Sequence, residues 1–349
     1  MELSETLKML LSFMVAFVIS YVSTPHVIKL AHRLGAIDVP KDNRRVHKTP
    51  IPRLGGISIY CGFLAASLAF VQMSPKLAAV IIGSLIIVGI GIVDDIKPVS
   101  PKVKFSAQIL AAVIVMAFGV RIEWLTNPFD RVDGMAYIGI LGYPLTLLWI
   151  VGATNTVNLI DGLDGLAAGV SAIAAVTLTF VAFINGQYTA AILLMAIAGG
   201  ALGFLPYNFN PAKIFMGDTG SLLLGFILAV VSVEGVMKSA AALAVAIPVL
   251  AMGFPIFDTT FAIIRRAANG RSIVQADKGH LHHRLLSRGL SQKQTVLFLY
   301  GISIVLGASA VTICEVSLQE SMLVISGVAL LLYYGIVKLK LLSLDDEIE

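Results

Sequence analysis

Eleven charge-poor stretches, each of the order needed to cross a bilayer, constrain this chain more than any single motif. They fall at about 9–28, 54–74, 77–93, 105–120, 139–159, 165–184, 189–207, 214–233, 239–261, 294–314 and 321–337. A membrane-spanning helix takes ~20 mostly apolar residues, because lipid offers no partner to an exposed backbone N–H or C=O. The run from Gly165 to Ala212 holds no charged residue and is too long for one span, and Asn185-Gly186-Gln187 supplies its break. Composition agrees: 57% of residues are hydrophobic and 13% charged, against roughly 25% charged in soluble domains. The expected fold is an all-α, polytopic membrane protein forming one unit over residues 1–349. No soluble domain and no internal repeat stand out. Asp133-Gly134, within the outer stretch 121–138, reads as a hairpin turn.

An odd number of spans puts the termini on opposite sides. The loops then divide the 25 Lys and Arg residues into a set of 20 and a set of five: Lys8, Lys76, Arg121, Arg131 and Lys238. The positive-inside rule places the larger set in the cytoplasm, with the N-terminus outside and the C-terminus inside. All six histidines fall on the cytoplasmic side as well. Cys61 and Cys314 lie within spans and imply neither a disulfide nor a metal site.

Topology requires the basic residues but not the acids, and the acids cluster. Asp94 and Asp95 end the third span. Adjacent carboxylates at a membrane surface repel, so a cation or shared proton is expected beside them. Oxygen-only ligands suit Mg²⁺, which keeps waters and takes one or two carboxylates plus substrate phosphates. A solvated helix end with Lys97 nearby is the plainer alternative. Asp161 and Asp164 follow Asn155 and Asn158 at three-residue spacing, which on a helix is one face. Capping of the sixth span accounts for one of these acids but poorly for the whole set. Asp218 lies inside the apolar run of the eighth span in Phe215-Met216-Gly217-Asp218-Thr219-Gly220-Ser221, and a buried carboxylate must be paired, metal-bound or neutral. Phe215 serves equally as apolar surface or as a stacking platform. His280, His282 and His283 stand among Lys278, Arg284 and Arg288, and His47 stands beside Arg44, Arg45 and Lys48, shortly before Arg53. Such cationic neighbours favour an anionic ligand such as phosphate over a transition metal, although basic loops at an anionic leaflet look the same. Taken together, the loops near 29–53, 94–104, 158–165, 208–218 and 265–293 place acids that hold Mg²⁺ beside bases that bind phosphate, at a surface that supplies a lipid. That combination points to phosphoryl transfer.

Asp94-Asp95, the run Asn158-Leu159-Ile160-Asp161-Gly162-Leu163-Asp164-Gly165, the segment Ile214–Ser221 and the histidine loop occur in one order along the chain. In this the chain resembles the polyprenyl-phosphate N-acetylhexosamine-1-phosphate transferases, which include enzymes initiating peptidoglycan, O-antigen (lipopolysaccharide) and wall teichoic acid. The form His280-Leu281-His282-His283 resembles the UDP-N-acetylglucosamine group of that family. The resemblance implies transfer of GlcNAc-1-phosphate from UDP-GlcNAc to undecaprenyl phosphate with release of UMP, in the bacterial cytoplasmic membrane and on its cytoplasmic side. It further implies Mg²⁺ (or Mn²⁺) at Asp218, with Asp94 engaging the lipid phosphate and Asp95 beside it. Lys97 and Lys104 would neutralise phosphates, and Asn158, Asp161, Asp164 and Asn208 would line the nucleotide and sugar site. Phe215 would stack on uracil, and His280, His282 and His283 would meet the sugar-phosphate end. His47 and Arg53 would lie near the lipid-phosphate entrance. A homodimer embedded among membrane lipids is implied, and no nucleic acid. Two rivals give different expectations. An intramembrane aspartyl protease needs a Gly-x-Gly-Asp motif, but Phe215 occupies the first glycine position. A lipid-linked sugar transporter predicts charge near the midplane of several helices and internal symmetry.

Overall fold

The computed structural model describes residues 3–39, 50–126, 135–237, 245–268, 270 and 280–338. His47 therefore lies outside the described residues, as do Arg44, Arg45, Lys48 and Lys278. The architecture is all-α. Helices α1 (Glu5–Leu34), α2 (Gly56–Phe70), α3 (Pro75–Ile96), α4 (Pro101–Ala117), α5 (Gly142–Leu159), α6 (Leu166–Ile184), α7 (Tyr188–Asn208) and α8 (Gly217–Gly235) are followed by α9 (Ala246–Ala251), α10 (Gly253–Ala268), α11 (Leu281–Ser287), α12 (Gln292–Glu315) and α13 (Leu318–Lys338).

Each expected span has a helical counterpart, and among the described residues eight helical segments are long and apolar enough to cross a membrane. The chain is thus a multi-pass membrane protein. α2, α4 and α10 are shorter, and the ninth expected span is split at Met252 into α9 and α10. Two antiparallel pairs supplement the helices: β1 (Ile37–Asp38) with β2 (Ile51–Pro52), and β3 (Trp124–Thr126) with β4 (Met135–Tyr137). The second pair lies in the stretch where a hairpin is expected, and Asp133 and Gly134 themselves lie outside the described residues.

Helix ends follow local chemistry. Ser74 caps α3 by accepting from Leu77 N–H at 3.2 Å, with Pro75 in the first turn where no N–H partner is lost. Ser291 and Gln294 form a reciprocal capping box on α12. α1 ends at Gly35, whose φ of 72° is the left-handed stop that glycine tolerates. α8 is buried nearly all round and packs on α2, α3, α5, α6 and α7, as expected of a helix apolar on every face. The indole N–H of Trp149 on α5 is satisfied by Ala229 carbonyl and Ser232 hydroxyl on α8, at 3.3 and 3.2 Å.

Close helix contact depends on missing side chains. On α7, a Cβ at Gly199 would lie 2.3 Å from Phe13 carbonyl of α1, and one at Gly203 would lie 2.3 Å from Phe17 carbonyl. In lipid, such backbone approach is a main source of helix association. Gly203→Val is therefore expected to destabilise the fold by about 1–3 kcal/mol, seen as a lower thermal midpoint in detergent, with Gly327→Val on α13, where a Cβ meets nothing within 4 Å, as the neutral control. Lys8, Lys76 and Arg121, the described members of the smaller basic set, sit at the ends of the bundle remote from Asp218, where Lys76 pairs with Glu234.

Candidate active site

The end of α3, the start of α4, the end of α5 and the start of α8 converge. They can do so because glycines mark the crossings. A Cβ at Gly91 of α3 would lie 2.4 Å from Thr219 Cα, and one at Gly56 of α2 would lie 2.1 Å from Gly220 N. The first turn of α8 leaves backbone N–H groups without helical partners, and Asp95 satisfies them from α3. Its Oδ1 accepts from Asp218 N–H at 3.0 Å, and its Oδ2 accepts from Thr219 N–H at 3.0 Å and Thr219 hydroxyl at 2.6 Å. Gly217, with φ 70°, brings this turn so near that a Cβ there would sit 2.3 Å from Asp95 Oδ2. Asp95 is thus an inter-helix cap.

Asp218 stands in the first turn of α8 rather than inside the apolar run, because the helix begins at Gly217. Its Oδ2 accepts from Lys104 Nζ at 2.7 Å and its Oδ1 from Asn158 Nδ2 at 3.2 Å. Asn158 also donates to Ser221 hydroxyl at 2.8 Å. Lys104 bridges from Asp218 to Asp94 Oδ2 at 3.1 Å, and Asp94 Oδ1 accepts from Val99 N–H at 2.9 Å. Arg53 turns its guanidinium onto the last carbonyls of α3, 3.0 Å from that of Asp95 and 3.4 Å from that of Asp94. β2 and the following turn carry it there, since Phe215 N–H donates to Pro52 carbonyl at 2.8 Å and Gly55 N–H to Phe215 carbonyl at 3.0 Å.

Asp161 and Asp164 do not share a helix face, because α5 ends at Leu159 and α6 starts at Leu166. Nor do they cap α6, whose N-cap is Gly165 without a side-chain bond. Asp164 instead braces the Asn210–Ala212 loop, accepting from Asn210 Nδ2 at 2.9 Å and Ala212 N–H at 3.0 Å. Asp161 faces the cavity. Burial, and then the charges of Asp218, Asp95 and Asp164, push its carboxyl up to about 8. Asn208 departs from its expected role. It is buried, accepting from Gly165 N–H at 3.1 Å and donating to Ile214 carbonyl at 3.0 Å, so both ends of its amide are spent joining two loops behind the site. Tyr300 of α12 adds a hydroxyl bond to Gly165 carbonyl.

The histidines also differ from one another. His283 borders the acid cavity. His282 does not: it is 1% exposed and packed against Gly162, where a Cβ would meet its Nε2 at 2.7 Å. Both of its ring nitrogens lack a hydrogen-bond partner. Burial and the adjoining His283 push it down to about 3, so the ring is neutral. His280 is buried and sits 2.8 Å from Asp258 through Nδ1. Lys97 is exposed at the end of α3 and outside the cavity.

The resulting cavity, of about 330 Å³, is lined by Asp38, Arg53, Asp95, Asn158, Asp161, Asp164, Phe215, Asp218, His283 and Gln292 among others. Asp94 and Lys104 reach it only through Asp218. Asp38, Gln292 and Asp258 are additions to the expected set, since nothing in their local sequence marks them. Beside the cavity an apolar groove of about 640 Å³ runs between α4, α5 and α10, from Phe105 and Leu148 to Arg266 and His280. Asn155 borders it, paired across the helices with Gln108 at 2.6 Å. Among the described residues no three His, Cys, Asp or Glu side chains converge to enclose an ion by themselves. Hard oxygen donors able to contribute one or two ligands, and a carboxyl raised by burial and by the nearby charges of Asp218, Asp95 and Asp164, fit Mg²⁺ shared with a substrate phosphate rather than a closed zinc site.

Fold and site together define a class: a multi-pass membrane protein with an acidic cavity where α3, α5 and α8 meet and an apolar groove between α4, α5 and α10. The family model of glycosyl transferase family 4 matches residues 77–236. Over 322 residues, 91% of this chain and 88% of the relative, the sequence is 41% identical to the "Probable undecaprenyl-phosphate N-acetylglucosaminyl 1-phosphate transferase" of Bacillus subtilis. It is 37% identical to the decaprenyl-phosphate N-acetylglucosaminephosphotransferase of Mycobacterium leprae, covering 82% of this chain and 78% of that one. It is 27% identical to the undecaprenyl-phosphate alpha-N-acetylglucosaminyl 1-phosphate transferase of Escherichia coli, covering 78% and 74%. The chain belongs to this family, the polyprenyl-phosphate GlcNAc-1-phosphate transferases of glycosyl transferase family 4.

Proposed function

We propose that this protein transfers GlcNAc-1-phosphate from UDP-GlcNAc to undecaprenyl phosphate, releasing UMP, at the cytoplasmic face of a bacterial cytoplasmic membrane. The observation that carries the reading is that the last turns of α5 border two spaces, Asn158 a polar cavity and Asn155, Thr156 and Leu159 an apolar groove. A polar cavity edged by Asp161, Asp218 and Arg53 suits a nucleotide diphosphate, and the apolar groove suits an isoprenoid chain.

In this reading an oxygen of the lipid phosphate forms a bond to the β-phosphorus of the donor. The bond from that phosphorus to the bridging oxygen breaks, and UMP leaves with that oxygen. A phosphate monoester has a second pKa near ~6 by analogy with phosphorylated side chains, so it needs little help from a base. Positioning and charge neutralisation carry most of the work. Asp218 and Asp161 are the residues that would hold Mg²⁺, which when bound offsets charge on the diphosphate and the departing UMP. Asn158 orients the Asp218 carboxylate. Lys104, held between Asp94 and Asp218 and outside the cavity lining, sets the Asp218 carboxylate and the charge beside the phosphates, so Asp94 acts through that lysine. Phe215 offers a ring face to uracil, and His283 and Arg53 border the sugar-phosphate end. His47, Lys97 and a homodimeric assembly belong to the same reading through the family resemblance.

The test is release of UMP from purified protein in detergent. Release is expected with UDP-GlcNAc plus undecaprenyl phosphate, to stop with EDTA and to return with Mg²⁺. UDP-GalNAc and UDP-MurNAc-pentapeptide are expected to give at least about 10-fold less, since one well-placed polar contact is worth that much in discrimination. Preference for either of those donors overturns the sugar assignment. A phospho-enzyme trapped with UDP-GlcNAc alone overturns direct attack.

A further inference from the structure

Gln292 lines the acid cavity and has no part in the mechanism above. It is the first residue of α12 and stands between Ser291 and Gln294, whose reciprocal capping box fixes the backbone there. Further along α12, the Tyr300 hydroxyl bonds to Gly165 carbonyl and ties the helix to the loop after Asp164. The side chain of Gln292 reaches the cavity with one end already engaged, since its Oε1 accepts from Asn210 Nδ2 at 2.6 Å. A chain of groups dictates that polarity. Asp164 Oδ2 accepts from Ala212 N–H at 3.0 Å and from Asn210 Nδ2 at 2.9 Å. A carboxylate has no hydrogen to give, so the Asn210 amide must turn its NH₂ toward it. The other hydrogen of that NH₂ meets Gln292, which must answer with its oxygen. The Gln292 NH₂ is the end left over, and among the described residues it has no hydrogen-bond partner.

We propose that Gln292 is a recognition residue of the nucleotide-sugar site, donating from Nε2 to a neutral carbonyl oxygen of the donor substrate. The inference rests on the transfer reading for its substrate. The polarity of the amide stands apart from that reading. A neutral acceptor suits this place better than a phosphate does. The Asp164 carboxylate, one residue away through Asn210, repels an anion. The cations of the site are engaged elsewhere, Lys104 with Asp218 and Asp94, and Arg53 with the last carbonyls of α3. UDP-GlcNAc offers neutral carbonyl oxygens at C2 and C4 of uracil and on the acetamido group. The diphosphate is left to the other group of side chains, around Asp218.

Displacement of labelled UDP-GlcNAc from the purified full chain in detergent tests this. The competitors form pairs: UMP with 2-thio-UMP, UMP with 4-thio-UMP, and UDP-GlcNAc with UDP-glucose. The second member of each pair lacks the carbonyl oxygen at one position. In one pair the wild type is expected to prefer the carbonyl by about 3–10-fold, the net worth of one neutral hydrogen bond. Gln292→Ala is expected to lose that preference and to keep the ratios of the other pairs, and the pair affected names the oxygen. Ratios unchanged in every pair overturn the proposal. Gln292→Glu separates recognition from bracing. It keeps an oxygen for Asn210, but its ionised carboxylate only accepts. At pH 8 it is therefore expected to bind UDP-GlcNAc at least about 3-fold more weakly than the wild type. Wild-type affinity in Gln292→Glu would mean that the residue only braces the Asn210 loop, and the proposal falls. UMP release keeps the two readings apart. A wild type that shows the Gln292-dependent preference but releases no UMP removes the transfer reading and keeps the recognition site. Release of UMP with ratios indifferent to Gln292 does the reverse, and a wild type that binds none of these nucleotides removes both.

Discussion

Asp218→Asn should lower UMP release by about 10²–10³-fold or more, the range lost when one preorganised charge contact is removed from a transfer site, while the protein still inserts and folds. The separation of activity from stability follows from the contacts. The new amide oxygen can still accept from Asn158, which lies 3.2 Å from Asp218 Oδ1. Lys104 loses its 2.7 Å partner but keeps Asp94 at 3.1 Å. The backbone N–H of residue 218 remains capped by Asp95. No buried group is orphaned, so the thermal midpoint should stay within a few degrees of wild type. What disappears is the negative charge at the point where Mg²⁺ and diphosphate would meet. Mg²⁺ should therefore raise the midpoint of the wild type in the presence of UDP-GlcNAc, by linkage, and leave Asp218→Asn unmoved. Activity within a few-fold of wild type would remove Asp218 from the metal role.

The spans are legible in the amino-acid sequence itself, because lipid enforces backbone satisfaction within each helix and leaves a plain hydropathy signal. The acids are legible too, since membrane proteins rarely place carboxylates near span ends without a reason. Asp95, Asp161, Asp164 and Asp218 do border one cavity. The direction of each side chain is not written there. Asn155 and Asn158 share the predicted spacing, yet Asn155 turns to Gln108 and Asn158 to Asp218. Periodicity carried past Leu159 puts Asp161 and Asp164 on a helix, whereas the positive φ of Gly165, 81°, belongs to a turn. Asn208 invites a ligand's role because it is a polar residue in an apolar chain, but it is a loop brace. His282 invites the same role and is buried behind Gly162. Asp258 and Asp38 carry no such signal, for the opposite reason: Asp258 meets residues 22 and 23 positions further on, Asp38 borders a cavity assembled from several elements, and no local pattern records an arrangement made only by folding.

The same limit hides the second function of the Asp94-Asp95 pair, and Asp95→Asn is expected to expose it by reducing stability and turnover together. The Asp95 carboxylate accepts three hydrogen bonds at two oxygens, two of them from the otherwise unpartnered backbone N–H groups that open α8. An amide offers one accepting oxygen, so one of those N–H groups must face an NH₂. The hydroxyl of Thr219 can rotate to accept, but a backbone N–H cannot. Thr219 is fully buried, and water does not replace the lost partner. An orphaned buried donor costs about 1–3 kcal/mol, which should appear as a midpoint several degrees below that of Asp218→Asn under the same conditions. Turnover should also fall by about 10²-fold, because small displacements of a positioned group are that costly and Asp218 rides on the turn that Asp95 holds. Gly217→Ala should reproduce the combined loss, since its Cβ would meet Asp95 Oδ2 at 2.3 Å from a backbone at φ 70°. If Asp95→Asn loses activity with an unchanged midpoint, Asp95 is a substrate or metal ligand and not the cap of α8. If it loses stability but transfers at the wild-type rate, the first turn of α8 does not set the position of Asp218.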